Sequence, residues 1–126
     1  MITSPHSGVT VLVVDDSDDQ ANLLRLHLEH AGCTVMISAS AEHALEIYRT
    51  VELDFAVIDL MLPGMSGWEL AQRIQQDLPD CALAISSVLD LESYPPIEAR
   101  LPKPVNRQSV RNALMEYVPR WAAQAS

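Results

Sequence analysis

Short runs of apolar residues alternate along the chain with segments in which apolar residues recur at helical spacing. Each run is short and nearly free of polar side chains, which is typical of strands buried on both faces of a parallel sheet. A weaker run, residues 99–101, predicts a fifth strand. The four clear runs are residues 10–14, 34–37, 55–58 and 82–85.

Helical segments follow these strands, and two of them begin with capping-box patterns, Ser17 with Gln20 and Ser66 with Glu69. Between the fourth and fifth strands, weak periodicity and two adjacent prolines leave at most a stub of helix in residues 88–97. The last eight residues are predicted to be a frayed tail. The predicted helices lie within residues 17–32, 40–50, 66–77 and 106–118.

Strand and helix alternate about five times, which predicts an α/β fold with a parallel sheet and helices on both faces. The chain has 126 residues, the size of one ordinary domain. We assign that domain to residues 9–118, with tails at 1–8 and 119–126. In open sheets of this kind, ligands bind outside the carboxyl ends of the strands.

Composition narrows the possible partners. The net charge of −9 disfavours direct binding to nucleic acid or to an anionic membrane. The two cysteines, Cys33 and Cys81, lie in apolar contexts without a CxxC pair and are expected to be reduced, buried thiols. Residues 1–8 lack the features of a signal peptide, and no apolar run is long enough to span a membrane. A cytoplasmic location is therefore expected.

Polar residues with complementary chemistry follow the predicted strands. Asp15 and Asp16 end the first strand, Asp59 the third and Ser86 the fourth, while Lys103 follows the fifth. Three neighbouring carboxylates repel one another unless a cation intervenes, and carboxylate oxygens select Mg²⁺ or Ca²⁺. A metal ion and an ammonium group would neutralise a transferring phosphoryl group, which a carboxylate could accept as an acyl phosphate.

These residues occur within longer stretches that resemble the receiver domains of two-component response regulators, the CheY-like superfamily. The stretches are VLVVDDS at residues 11–17, DFAVIDLMLPGMSG at residues 54–67, Ser86, and Lys103 with Pro104. The resemblance covers roughly residues 9–118. It implies a flavodoxin-like fold with a five-stranded parallel sheet in the order 2-1-3-4-5.

The resemblance also implies a role for each residue of the set. Asp59 matches the aspartate that receives the phosphoryl group from a phosphohistidine, carried by a histidine kinase or a histidine phosphotransfer protein. Asp16 and Asp59 match direct ligands of Mg²⁺ (or Mn²⁺), with Asp15 acting through water. The backbone carbonyl of Met61 matches the remaining protein ligand.

Ser86 and Lys103 match the two residues that contact the phosphoryl group in the family. Two departures from the family pattern affect the region that carries the output signal. Only sixteen residues separate Ser86 from Lys103, which predicts a shortened or irregular fourth helix. Arg100 replaces the aromatic residue that usually switches position. The hypothesis is that the output uses an altered segment, residues 88–101, or another face, toward a partner that the sequence does not identify.

Two further positions bear on the lifetime of the acyl phosphate. Met61 and Val88 are apolar where the family tunes hydrolysis, which predicts a long-lived acyl phosphate. The chain would then be a phosphoacceptor that catalyses only its own phosphorylation and dephosphorylation, and not a turnover enzyme. The alternative is a pseudo-receiver that docks a partner without phosphorylation. A phosphatase-like hydrolase would need a second acid at position 61, where the chain has methionine.

Overall fold

A five-stranded parallel sheet runs through the molecule in the order β2-β1-β3-β4-β5. The computed structural model describes residues 8–60, 62, 64–86, 99–101, 103 and 105–125, with the backbone alone at 99, 100, 124 and 125. The strand order confirms the predicted flavodoxin-like topology. The strands are β1 Thr10–Val14, β2 Thr34–Ser38, β3 Phe55–Ile58, β4 Ala82–Ile85 and β5 Ala99–Arg100.

Helices join the strands and begin at side-chain caps. Ser17, Ser40, Ser66 and Asn106 each accept a hydrogen bond from a backbone N–H of the first helical turn, which satisfies a donor that has no partner within the helix. The helices are α1 Asp18–His30, α2 Ala41–Ile47, α3 Gly67–Asp77, α4 Arg107–Tyr117 and α5 Pro119–Ala125. α2 is one turn shorter than its predicted segment.

The two faces of the sheet bury separate cores because successive residues of a strand point to opposite sides. On one face, Val11 and Val13 of β1 pack in a cluster with residues of α1, α4 and α5. On the other face, Leu12 and Val14 pack in a cluster with residues of α2 and α3. Helices on both faces make this a doubly wound fold.

The prediction of a frayed C-terminal tail was wrong, since residues 119–125 form α5. Trp121 is buried in the first core, and its indole Nε1–H donates a hydrogen bond of 2.8 Å to the carbonyl oxygen of Ala31. The guanidinium of Arg111 lies 5.2 Å from the centre of the Trp121 ring. Pro119 does not oppose this helix, because proline is tolerated at the first helical position.

One prediction for the region between β4 and β5 stays open. The stub of helix expected in residues 88–97 lies outside the described residues. β5 pairs with β4 through Ala84 with Ala99 and Ile85 with Arg100, which confirms the fifth strand.

Within the described part of the chain, no helix combines the length and the apolar character needed to cross a membrane.

Candidate functional site

The parallel ladder places the candidate residues side by side at the carboxyl edge of the sheet. The backbone N–H of Asp59 donates a 2.9 Å hydrogen bond to the carbonyl oxygen of Val14, and that of Ser86 donates one of 3.0 Å to Ile58. Each residue is thereby fixed at the point where its strand ends. The sheet register, more than any loop, sets the relative positions of Asp15, Asp59 and Ser86.

Three carboxylates converge at this edge. Asp15 and Asp59 are each only 6% exposed, whereas Asp16 is exposed. One oxygen from each of the three side chains lies within 4.8 Å of the other two. Oxygen ligands at this spacing fit a hard divalent cation such as Mg²⁺, which takes one or two carboxylates and keeps several waters.

Lys103 lies across two of these carboxylates. Its Nζ is 2.6 Å from Oδ2 of Asp15 and 3.1 Å from Oδ2 of Asp59. Burial lowers the pKa of Lys103, but the hydrogen bonds and negative charges of the two aspartates together outweigh burial, so the net pKa is raised. Lys103 is therefore a firmly protonated ammonium group, and it is the single lysine of the sequence.

The two oxygens of Asp15 differ in their partners. Oδ1 accepts a 2.9 Å hydrogen bond from the backbone N–H of Ser17, the residue that caps α1. Oδ2 faces Lys103. Asp15 is thus held from both sides by the protein, whereas Asp16 is directed to solvent.

Ser86 completes the edge with a buried hydroxyl. The residue is 3% exposed, and its Oγ has no hydrogen-bond partner among the residues that the structure describes. A buried polar atom without a partner is uncommon because it keeps the cost of desolvation. An oxygen atom of a ligand bound at this edge could supply the missing partner.

Gly67 is part of the site in a way that the sequence analysis did not identify. A Cβ atom on this residue would lie 2.0 Å from the backbone oxygen of Asp59 and 3.0 Å from the Cα of Leu60. The first residue of α3 therefore rests directly on the backbone of Asp59. The sequence carried one signal for this contact: a glycine at the start of a predicted helix, although glycine is a poor helix former.

The structure brings together Asp15, Asp16, Asp59 and Lys103, with Ser86 at the end of the neighbouring strand. Two other residues of the predicted set are not covered. Met61 lies outside the described residues, and so does the side chain of Arg100.

Comparison with known proteins gives a consistent family match. The sequence-family model of the response regulator receiver domain matches residues 11–95 of this chain. The chain is 37% identical over 86 residues to a protein-glutamate methylesterase/protein-glutamine glutaminase of Natronomonas pharaonis, a match that covers 68% of this chain and 24% of the relative. It is 40% identical over 73 residues to the virulence sensor protein BvgS of Bordetella pertussis, covering 58% of this chain and 6% of the relative. The chain thus spans a quarter or less of these relatives.

Solved structures agree with the fold. A sensor protein from Polaromonas sp. JS666 superposes with a TM-score of 0.76 at 26% identity, covering 90% of this chain and 98% of the other. A CheY-like response regulator receiver domain protein from Methanospirillum hungatei superposes with a TM-score of 0.80 at 24% identity, covering 92% and 98%. At 24% identity, the second likeness concerns the fold alone.

Proposed function

The chain belongs to the response regulator receiver domain family of two-component systems, and on this premise we propose that Asp59 is its phosphoacceptor. The donor is the phosphohistidine of a histidine kinase or a histidine phosphotransfer protein. The observation that carries the proposal is the pairing of a buried Asp59 with the ammonium of Lys103, beside two further carboxylates.

A divalent cation, Mg²⁺ or Mn²⁺, would be held by Asp16 and Asp59 directly and by Asp15 through water. The geometry supports this division, because both oxygens of Asp15 already face protein donors while Asp16 is exposed. The backbone carbonyl of Met61 is the proposed further ligand. When bound, the cation supplies positive charge that neutralises the oxygens of the transferring group.

The remaining groups are suited to the transfer itself. A carboxylate oxygen of Asp59 forms a bond to phosphorus as the bond between phosphorus and the donor's imidazole nitrogen breaks. The bonding electron pair stays on that imidazole, which is the leaving group. Lys103 contacts the phosphoryl oxygens as a cation. The hydroxyl of Ser86, which has no partner among the described residues, donates a hydrogen bond to one of them.

Phosphorylation would then change which partners the domain binds. Acyl phosphate at Asp59 attracts Ser86, which follows β4, and Lys103, which follows β5. It thereby biases the segment between these two residues. That segment, residues 88–101, is the proposed output region, with Arg100 at the switch position. Apolar Met61 and Val88 do not orient an attacking water, so the acyl phosphate would be long-lived.

The test is incubation with acetyl phosphate, with and without Mg²⁺, followed by intact mass measurement. We expect a Mg²⁺-dependent gain of one phosphoryl group in the wild type. The gain should be absent in Asp59→Asn and retained in Asp80→Asn, which removes an exposed carboxylate elsewhere. No gain together with no Mg²⁺ binding would reject the proposal in favour of a pseudo-receiver that docks a partner without phosphorylation.

A further inference from the structure

Met65, which lies shortly before α3, is tied to α2, a helix that the family-based assignment does not involve. Glu42 lies in the first turn of α2. Its Oε2 accepts a hydrogen bond of 3.0 Å from the backbone N–H of Met65. The two residues are 23 positions apart, so this contact joins separate elements across the edge of the site.

Gly64 provides the room for this contact. Its φ is +74°, and a Cβ atom there would lie 2.8 Å from Oε2 of Glu42. Any other residue at this position would therefore strain the backbone and also displace the carboxylate. The backbone at Gly64 and Met65 and the position of Glu42 thus fit one another.

Electrostatics favour the ionised form of Glu42 as the acceptor. The hydrogen bond from Met65 is the main cause of a lowered pKa at Glu42, and a hydrogen bond from its own backbone N–H lowers the pKa further. A charged carboxylate is a stronger acceptor than a neutral group.

Met65 is connected to the site through the residues that follow it. Ser66 caps α3, and Gly67, the first residue of α3, lies against the carbonyl of Asp59. The N–H of Asp59 is bonded to Val14 in the sheet. The bond from Met65 to Glu42 therefore helps to hold the start of α3 against Asp59, and its loss would weaken that contact.

We propose that Glu42 is a positioning residue for the divalent cation site: by holding Met65 it keeps the start of α3 against Asp59 and thereby raises the affinity of the acidic cluster for the cation. The inference rests on the proposed function. Glu42 itself acts through Met65 and does not touch the reacting atoms.

The experiment measures Mn²⁺ binding by electron paramagnetic resonance of the unbound ion, with Mg²⁺ as competitor, and needs no phosphodonor. We expect Glu42→Ala to weaken Mn²⁺ binding about tenfold. This is the lower end of the loss found when residues that position metal ligands are replaced, and we expect the lower end because the carboxylate of Glu42 is exposed. Glu42→Gln keeps an oxygen acceptor and should lose less. Glu46→Ala, which removes an exposed carboxylate one turn further along α2, is the matched control and should bind like the wild type.

Amide hydrogen exchange of Met65 in the metal-free protein is the second readout. We expect faster exchange in Glu42→Ala than in Glu46→Ala, with the overall melting temperature changed little. If the wild type binds no divalent cation, the proposed function fails and this inference fails with it. If the wild type binds but Glu42→Ala binds as tightly as Glu46→Ala, the inference alone is wrong.

Discussion

Formal charges at the carboxyl edge explain why Lys103 does not complete the site by itself. Asp15, Asp16 and Asp59 contribute three negative charges and Lys103 one positive charge, which leaves −2. Neighbouring carboxylates repel one another unless cations are present. A divalent cation would bring the formal sum to zero, which gives a physical reason for metal binding independent of the family resemblance.

The state of Lys103 can be measured directly because the sequence has a single lysine. We expect the Cε resonance of ¹³C-labelled lysine to titrate with a pKa above its ordinary value, since two aspartates outweigh the effect of burial. In Asp59→Asn the pKa should fall, because one of the two carboxylates is lost. Asp80→Asn is the control at an exposed position.

The raised pKa of Lys103 also determines in which direction the stability of the fold changes with pH. The pKa of Lys103 is raised in the folded state, so its ion pairs stabilise the fold below the unfolded pKa and are lost as the pH rises through the folded pKa. Stability should therefore decline in the alkaline range and not near neutrality. A lysine pKa at or below its ordinary value, unchanged by Asp59→Asn, would contradict the arrangement.

At the residue scale, the sequence predicted the residue positions that the sheet determines. It did not predict the contacts that form between separate elements. Asp15, Asp59 and Ser86 directly follow apolar strands, and parallel register brings such positions together at one edge. The contact of Gly67 with Asp59 and that of Glu42 with Met65 depend on how two elements approach in space. Local sequence patterns carry little information on such distances.

At the scale of elements, the start of α3 and the end of β3 act as one unit. We expect Gly67→Ala to lower the free energy of unfolding by about 2 kcal/mol, measured by urea denaturation. The reason is that the added Cβ would meet backbone atoms of Asp59, which cannot move without distorting the strand end. The higher helix propensity of alanine offsets part of the loss.

The matched control for this change is Gln75→Ala, which replaces an exposed residue of the same helix. It should leave the free energy of unfolding nearly unchanged. If Gly67→Ala were as stable as the control, the close approach of α3 to Asp59 would be wrong. Weaker divalent cation binding in Gly67→Ala would be a further consequence of moving α3.

α5 shows why the end of the fold was missed at the element scale. The short sequence after Pro119 has too few apolar residues for a periodic helical pattern. Among the side chains of α5 that the structure describes, Trp121 is the one that is buried. Trp121 is 3% exposed and reaches Ala31, 90 positions earlier in the chain. Neither the burial nor the partner can be deduced from the local sequence.

Trp121 should therefore account for most of the contribution of α5 to stability. We expect Trp121→Ala to lower the free energy of unfolding by about 3 kcal/mol, in line with truncation of a buried aromatic side chain. Arg120→Ala should cost less than about 1 kcal/mol, because its ion pair with Asp54 is formed by an arginine side chain that is 58% exposed. Equal effects in chemical denaturation would contradict this ranking.

At the scale of the whole molecule, the sheet separates two cores that share the same strands. Adjacent residues of β1, Leu12 and Val13, belong to opposite clusters. Because side chains of β1 pack in both cores, the strand cannot separate from one core while its register in the sheet keeps it packed in the other. We infer that the two faces unfold together.

The two cysteines report on the two faces separately. Cys33 is buried in the cluster that contains α1, α4 and α5, and Cys81 is buried in the cluster that contains α2 and α3. Burial, together with the charge of Asp54, raises the pKa of Cys81 to about 12, so its reactive thiolate is scarce in the folded state. Both thiols should be protected from reagents until the fold opens.

We therefore expect a thiol reagent, applied over a series of urea concentrations below the unfolding transition, to label both cysteines with the same dependence on urea. Peptide mass spectrometry would assign the label to each position. The variant Cys33→Ala would give the labelling rate of Cys81 alone, and Cys81→Ala would give that of Cys33 alone. Equal dependence means that one global opening exposes both faces, as expected for a cooperative domain of this size. Labelling of one cysteine at clearly lower urea would show that one helical layer detaches while the sheet and the other layer persist, and it would contradict the coupling through β1.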